Sequence, residues 1–116
     1  EESVYRYCMD HGLSNSSDYP YYAAEYQCSI ENHNNSYRLS GYKGLTKGDE
    51  ANLLRAIYYI GPVSIAFDAD HDEFYFYESG IINIPSCTTY NRRHAVLAVG
   101  FNLTETPYLL VKNRYF

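Results

Sequence analysis

A histidine stands at the mouth of one apolar run, "HAVLAVGF" (residues 94–101), and an asparagine closes the next, "YLLVKN" (residues 108–113). His94 and Asn113 are 19 residues apart. Both runs have the β-branched, apolar composition of strands, and the turn-rich "NLTETP" joins them. Paired as an antiparallel hairpin, they bring the residue that starts the first strand and the residue that ends the second to one end of the sheet. An imidazole and a carboxamide then become neighbours. An amide oxygen that accepts a ring N–H fixes the tautomer and the orientation of a general base. That is the orienting arm of a Cys-His-Asn arrangement for nucleophilic catalysis. A lone histidine in this place would read as a packed strand-edge residue; the asparagine is what changes the reading.

The remaining elements must carry this hairpin. Residues 2–11, "ESVYRYCMDH", place Val4, Tyr5, Cys8 and Met9 at helical spacing, and Gly12 can end that helix. A loop rich in Ser, Asn and Asp follows, and Tyr19 is pushed towards extended geometry by Pro20. Residues 29–36 are polar and read as a surface loop, with a short strand expected around 37–43. "TKGDEANLLRAIYYIG" is the strongest helix. Asp49 can cap it, Leu53, Leu54, Ile57 and Ile60 form its apolar stripe, and Gly61-Pro62 stops it. Strand-like runs follow in "PVSIAFDA", "SGIINI" and the two segments of the hairpin. Helices first and strands afterwards predict an α+β fold with an antiparallel sheet or barrel.

Composition limits the possible partners. The net charge is −5 and the pI about 5.2, with no basic block, which argues against nucleic acid or an anionic membrane surface. No apolar run reaches the roughly 18 residues of a membrane-spanning helix. The opening "EESVYRYC" reads as mid-domain sequence and not as an export signal. Fifteen tyrosines and no tryptophan suggest half-buried aromatic seams. The cysteines are Cys8, Cys28 and Cys87, an odd count that leaves at least one unpaired within these residues. Sequons at Asn15, Asn34 and Asn102 favour a lysosomal or secreted route. "DADHD" imitates the start of a calcium loop, but Glu73 takes the glycine position and Ser79 the final glutamate position, so a solvated acidic turn is expected. His11, His33 and His71 lack zinc-ligand spacing. No metal and no cofactor is expected.

Taken together, "YPY…C", "GPVSIAFDA…F…Y.SGI", "C……HAVLAVGF" and "YLLVKN" resemble, in order and approximate spacing, the papain-like cysteine peptidases of the cathepsin L type. The resemblance covers nearly the whole chain. It implies the end of the helical half over residues 1–42 and most of the antiparallel β-barrel half over residues 43–116, truncated at both ends. It also implies a cysteine endopeptidase with His94 as the catalytic imidazole and Asn113 as its orienting amide. The substrate would be polypeptide, bound extended across a groove. Ala66 and Ala95 fall at positions that wall the S2 pocket, where small side chains leave room for a bulky apolar P2 residue.

By this resemblance the nucleophile is not expected among these residues. The family's cysteine lies about 130–150 residues before its histidine, whereas 93 residues precede His94. The thiol is expected from an absent N-terminal peptidase segment, in the same precursor or on a partner chain, and these 116 residues alone are expected to be inactive. By the same resemblance, Cys28 would pair upstream of Glu1 and Cys87 beyond Phe116, with no Cys28–Cys87 bridge. Two departures stand out. The family's tryptophan after the asparagine is replaced by Tyr115, following Arg114. Arg93 precedes the histidine where Asp or Asn is usual, and with Arg92 it brings positive charge beside the imidazole. These changes leave open an alternative, a catalytically inactive homologue with a binding or scaffolding role.

Overall fold

The computed structural model describes residues 2–28 and 37–114. The chain divides into two compact units, one running to Gly44 and one from Leu45 onward. In the first, α1 spans Glu2–Asp10. Cys8 is buried, Tyr5 and Met9 are half-buried, and Gly12 beyond the helix is buried too. Positions 5, 8, 9 and 12 repeat at i, i+3, i+4 and i+7, so one stripe faces inward. Val4, expected on that stripe, is 61% exposed. Gly12 has φ +78°, and its N–H donates to the Cys8 carbonyl at 3.1 Å, closing the helix in the left-handed conformation that glycine adopts without strain. The strand expected near 37–43 is reduced to a single bridge, in which Leu13 and Tyr37 exchange N–H···O bonds of 2.7 and 3.1 Å.

The second unit holds α2 (Glu50–Tyr59), β1 (Val63–Phe67), α3 (Asp72–Tyr75), β2 (His94–Asn102) and β3 (Tyr108–Lys112). Asp49 caps α2 as expected: its carboxylate accepts the Asn52 N–H at 3.0 Å, satisfying one of the orphan donors of the first turn. The sheet is antiparallel in the order β1-β2-β3. Central β2 pairs with β1 from Val63↔Ala98 to Phe67↔His94. Side chains alternate between faces. Val96 and Ala98, on the face shared with His94, are buried, and α2 packs on β1 and β2 with Ile57 as its buried residue. No strand forms over residues 79–84, where "SGIINI" suggested one.

The β2–β3 pairing contains an irregularity that decides where Asn113 points. From Asn102↔Tyr108 the register runs to Gly100↔Leu110, then jumps to Ala98↔Val111 and Leu97↔Lys112, leaving Val99 as an extra residue on β2. This is a β-bulge. Continued past Lys112, the bulged register sets Asn113 opposite Val96, on the face of His94 and diagonal to it. An unbulged ladder would set Asn113 opposite Leu97 and turn its side chain to the other face.

Candidate active site

His94 is the first residue of β2 and half-buried. Its ring Nε2 lies 2.6 Å from Asn113 Oδ1. The same Oδ1 accepts the backbone N–H of Arg114 at 2.8 Å. Two donors converging on one atom fix the amide orientation, because the flipped amide would set its NH₂ against the Arg114 N–H. The partner is an acceptor, so Nε2 carries the proton and the basic lone pair belongs to Nδ1. The ring is walled by two phenylalanines. Phe67, its cross-strand partner, lies at a centroid distance of 6.0 Å and Phe74 of α3 at 5.6 Å, both in edge-on geometry. The two phenyl rings are themselves 5.0 Å apart at 81°. Such contacts hold an imidazole by its apolar edge while its nitrogens stay available to polar partners.

An open cleft of about 170 Å³ adjoins the ring, lined by Ala69, Asp70, Tyr75, Arg93 and His94. Asp70 and Arg93 thus line the same cleft as His94. Arg93, singled out in the sequence, lies in this wall. Ala66 and Ala95 are direct cross-strand partners and both exposed, on the face opposite to that of His94. Tyr115 lies outside the described residues. The roles of Phe67, Phe74, Asp70 and Tyr75 were not anticipated. Phe67 could have been found from its place at the end of the strand that pairs with the histidine; Asp70 and Tyr75 carry no sequence signal of their own.

The acidic turn is not solvated at its start. Asp68 is only 3% exposed, which corrects the expectation from "DADHD". Its carboxylate is held below the usual range, chiefly by the Thr88 N–H that it accepts, with the Thr88 hydroxyl, the Asp70 N–H and His71 adding to the effect against the cost of burial. Ligand-capable atoms of Asp68, His71 and Cys87 all lie within 4.8 Å of one another. Four hydrogen bonds already occupy the Asp68 oxygens, so the trio is a hydrogen-bonded hub and not an open metal cradle. Among the described residues the cysteines form no disulfide; Cys8 is buried on α1, and Cys28 and Cys87 are exposed.

Comparison with known proteins gives this geometry its context. The family model described as papain family cysteine protease matches residues 1–115. The chain belongs to the papain family of cysteine proteases. This papain-family chain is 36% identical to Cathepsin L1 of Drosophila melanogaster over 98% of its own length, and 40% identical to Cathepsin S of Mus musculus over 97%. It spans about a third of the length of these relatives, 32% and 33%. A solved structure of digestive procathepsin L 3 from Tenebrio molitor larval midgut superimposes with a TM-score of 0.84 at 35% identity, covering 96% of this chain and 36% of that one. The fold is therefore papain-like, seen in part.

Proposed function

We propose that these residues supply the imidazole and the amide of a papain-like cysteine endopeptidase whose thiol is carried by residues outside the 116. The observation that supports this most strongly is the 2.6 Å contact between His94 Nε2 and Asn113 Oδ1 at the edge of an open cleft. With Nε2–H donated to the amide, Nδ1 takes the proton of the thiol. The thiolate attacks the scissile carbonyl, and the imidazolium protonates the leaving amine. The imidazole then removes a proton from the water that attacks the acyl-enzyme. No step calls for a cofactor.

The substrate is polypeptide. Ala66 and Ala95, side by side and small, wall the pocket for an apolar P2 side chain, Arg93 contributes charge beside the scissile bond, and Tyr115 takes the sequence position of the family's tryptophan. The absent N-terminal peptidase segment brings the nucleophile, Cys28 and Cys87 pair with cysteines outside these residues, and the protein works in a lysosomal or secreted setting. Hydrolysis of fluorogenic peptides by the full-length protein tests this reading at acidic pH under reducing conditions. Turnover that disappears in His94→Ala supports it. A full-length protein with no turnover, or turnover that survives His94→Ala, overturns it.

A further inference from the structure

The frame around His94 converges on one buried carboxylate. β1 ends at Phe67, the cross-strand partner of His94, and the next residue is Asp68. Asp68 Oδ2 accepts the Thr88 N–H at 3.1 Å and the Thr88 hydroxyl at 3.0 Å. Oδ1 accepts Asn91 Nδ2 at 3.3 Å and the Asp70 N–H at 3.4 Å. Three of these four donors belong to residues 88–91, the loop that delivers the chain to His94. The loop is braced further: the Asn91 N–H donates to Thr88 Oγ1 at 3.3 Å, and the Arg93 N–H to the Asn91 carbonyl at 3.0 Å. An unbroken sequence of bonds therefore runs from Asp68 through Thr88, Asn91 and Arg93 to the histidine. On its other side, Asp68 fixes through the Asp70 N–H the start of the segment that carries Phe74 onto the ring.

We propose that Asp68 is a positioning residue for His94, locking the loop at residues 88–93 so that the ring keeps Nε2 on Asn113 and aims Nδ1 at the reacting thiol. The inference rests on the reading of His94 as the catalytic imidazole. His94 forms the last rung of the β1–β2 ladder, so nothing in the sheet restrains the chain on its N-terminal side. The carboxylate does this from one position: His71 Nε2 lies 3.3 Å from Oδ2, and the four groups that hydrogen-bond to it are all donors, which an acceptor-only side chain satisfies together. An asparagine would set its NH₂ against a backbone N–H in either orientation of its amide, that of Thr88 in one and that of Asp70 in the other, and neither N–H can turn away. A misplacement of about 1 Å in a catalytic group costs on the order of 100-fold in rate, so a loop four to six residues long needs such an anchor.

The test uses the full-length protein with two readouts, peptide turnover and the ¹⁵N resonances of the His94 ring. Asp68→Asn is expected to lower kcat about 10- to 100-fold with KM within about twofold of the parent. Its His94 Nε2 signal is expected to move from that of a fixed, protonated nitrogen towards the tautomer average. If Asp68→Asn fails to fold, Thr88→Val and Thr88→Ser replace it. The valine, which removes one donor to Oδ2, is expected to show the same pattern more weakly, and the serine, which keeps both donors, to restore turnover. Unchanged kcat with unchanged ring signals in folded Asp68→Asn overturns the proposal. So does a loss of turnover that follows melting temperature alone while the His94 signals stay put. A parent protein without turnover defeats the catalytic reading instead, and the ring signals then decide the positioning claim by themselves.

Discussion

Replacing Asn113 by alanine removes a side-chain acceptor from His94 Nε2 at an exposed position beyond the end of β3. The contact is short, 2.6 Å, and during turnover the ring is charged. Hydrogen bonds to charged groups contribute about 1.5–3 kcal/mol. At about 1.4 kcal/mol per tenfold in rate, this converts to a loss of roughly 10- to 150-fold in kcat/KM. Exposure lets water replace part of the bond, so the lower half of the range, about 10- to 50-fold, is expected. The Arg114 N–H also loses its acceptor, but it too is exposed and finds water, so the melting temperature should hardly move. The assay is steady-state hydrolysis of a fluorogenic peptide by the full-length protein, with calorimetry as the control for folding. Asn113→Asp keeps an oxygen acceptor in place and should retain more activity than the alanine variant. An alanine variant within about twofold of the parent in kcat/KM, at equal stability, would refute the reasoning.

Deleting Val99 should remove the bulge and leave Asn113 opposite Val96, whereas deleting Val111 from β3 should set residue 113 opposite Leu97 and turn it to the opposite face, abolishing the His94–Asn113 contact; a fixed His94 Nε2 signal in ¹⁵N spectra that persists in the first variant and is lost in the second checks it, and a signal retained in both speaks against the register argument. Ala66→Leu or Ala95→Leu should lower kcat/KM about 10- to 200-fold for peptides with a bulky apolar P2 residue and much less for alanine at P2, a split read from paired substrates. Asp68 is held below the ordinary carboxylate range, so its contribution to stability is complete above that range and is lost as pH falls through the lowered value. The melting curves of the parent and Asp68→Asn should therefore differ most near neutral pH and converge in acid; a constant gap across the pH series would contradict the assignment.

How far the sequence led depended on the range over which each feature is decided. α2 was legible because its cap, stripe and stop are all local, with Asp49 bonded to Asn52 only three residues on. Ile60 was misplaced on the stripe; it is the C-cap and 88% exposed, because the chain departs from the helix there and the helical period no longer applies. The hairpin was legible from two strand-like runs and one turn, in which Asn102 Oδ1 accepts both the Thr104 N–H and hydroxyl. The bulge at Val99 was not, since an extra valine inside "AVLAVG" leaves the apolar pattern unchanged while reversing every face beyond it. Asp68 was read as solvated because the donors that allow its burial, Thr88 and Asn91, lie 20 and 23 residues further along the chain. "SGIINI" shows the opposite failure: β-branched composition suggested a strand, yet the run takes no place in the sheet of the described residues.

The central claim is that His94 and Asn113 serve a thiol that these residues do not contain. Treating the full-length protein with an active-site-directed epoxide and mapping the adduct by peptide mass spectrometry addresses it most directly. One modified cysteine, lying N-terminal to the residues described and unlabelled when His94 is replaced by alanine, is the predicted result. No adduct at all, or an adduct confined to Cys8, Cys28 or Cys87, would contradict it.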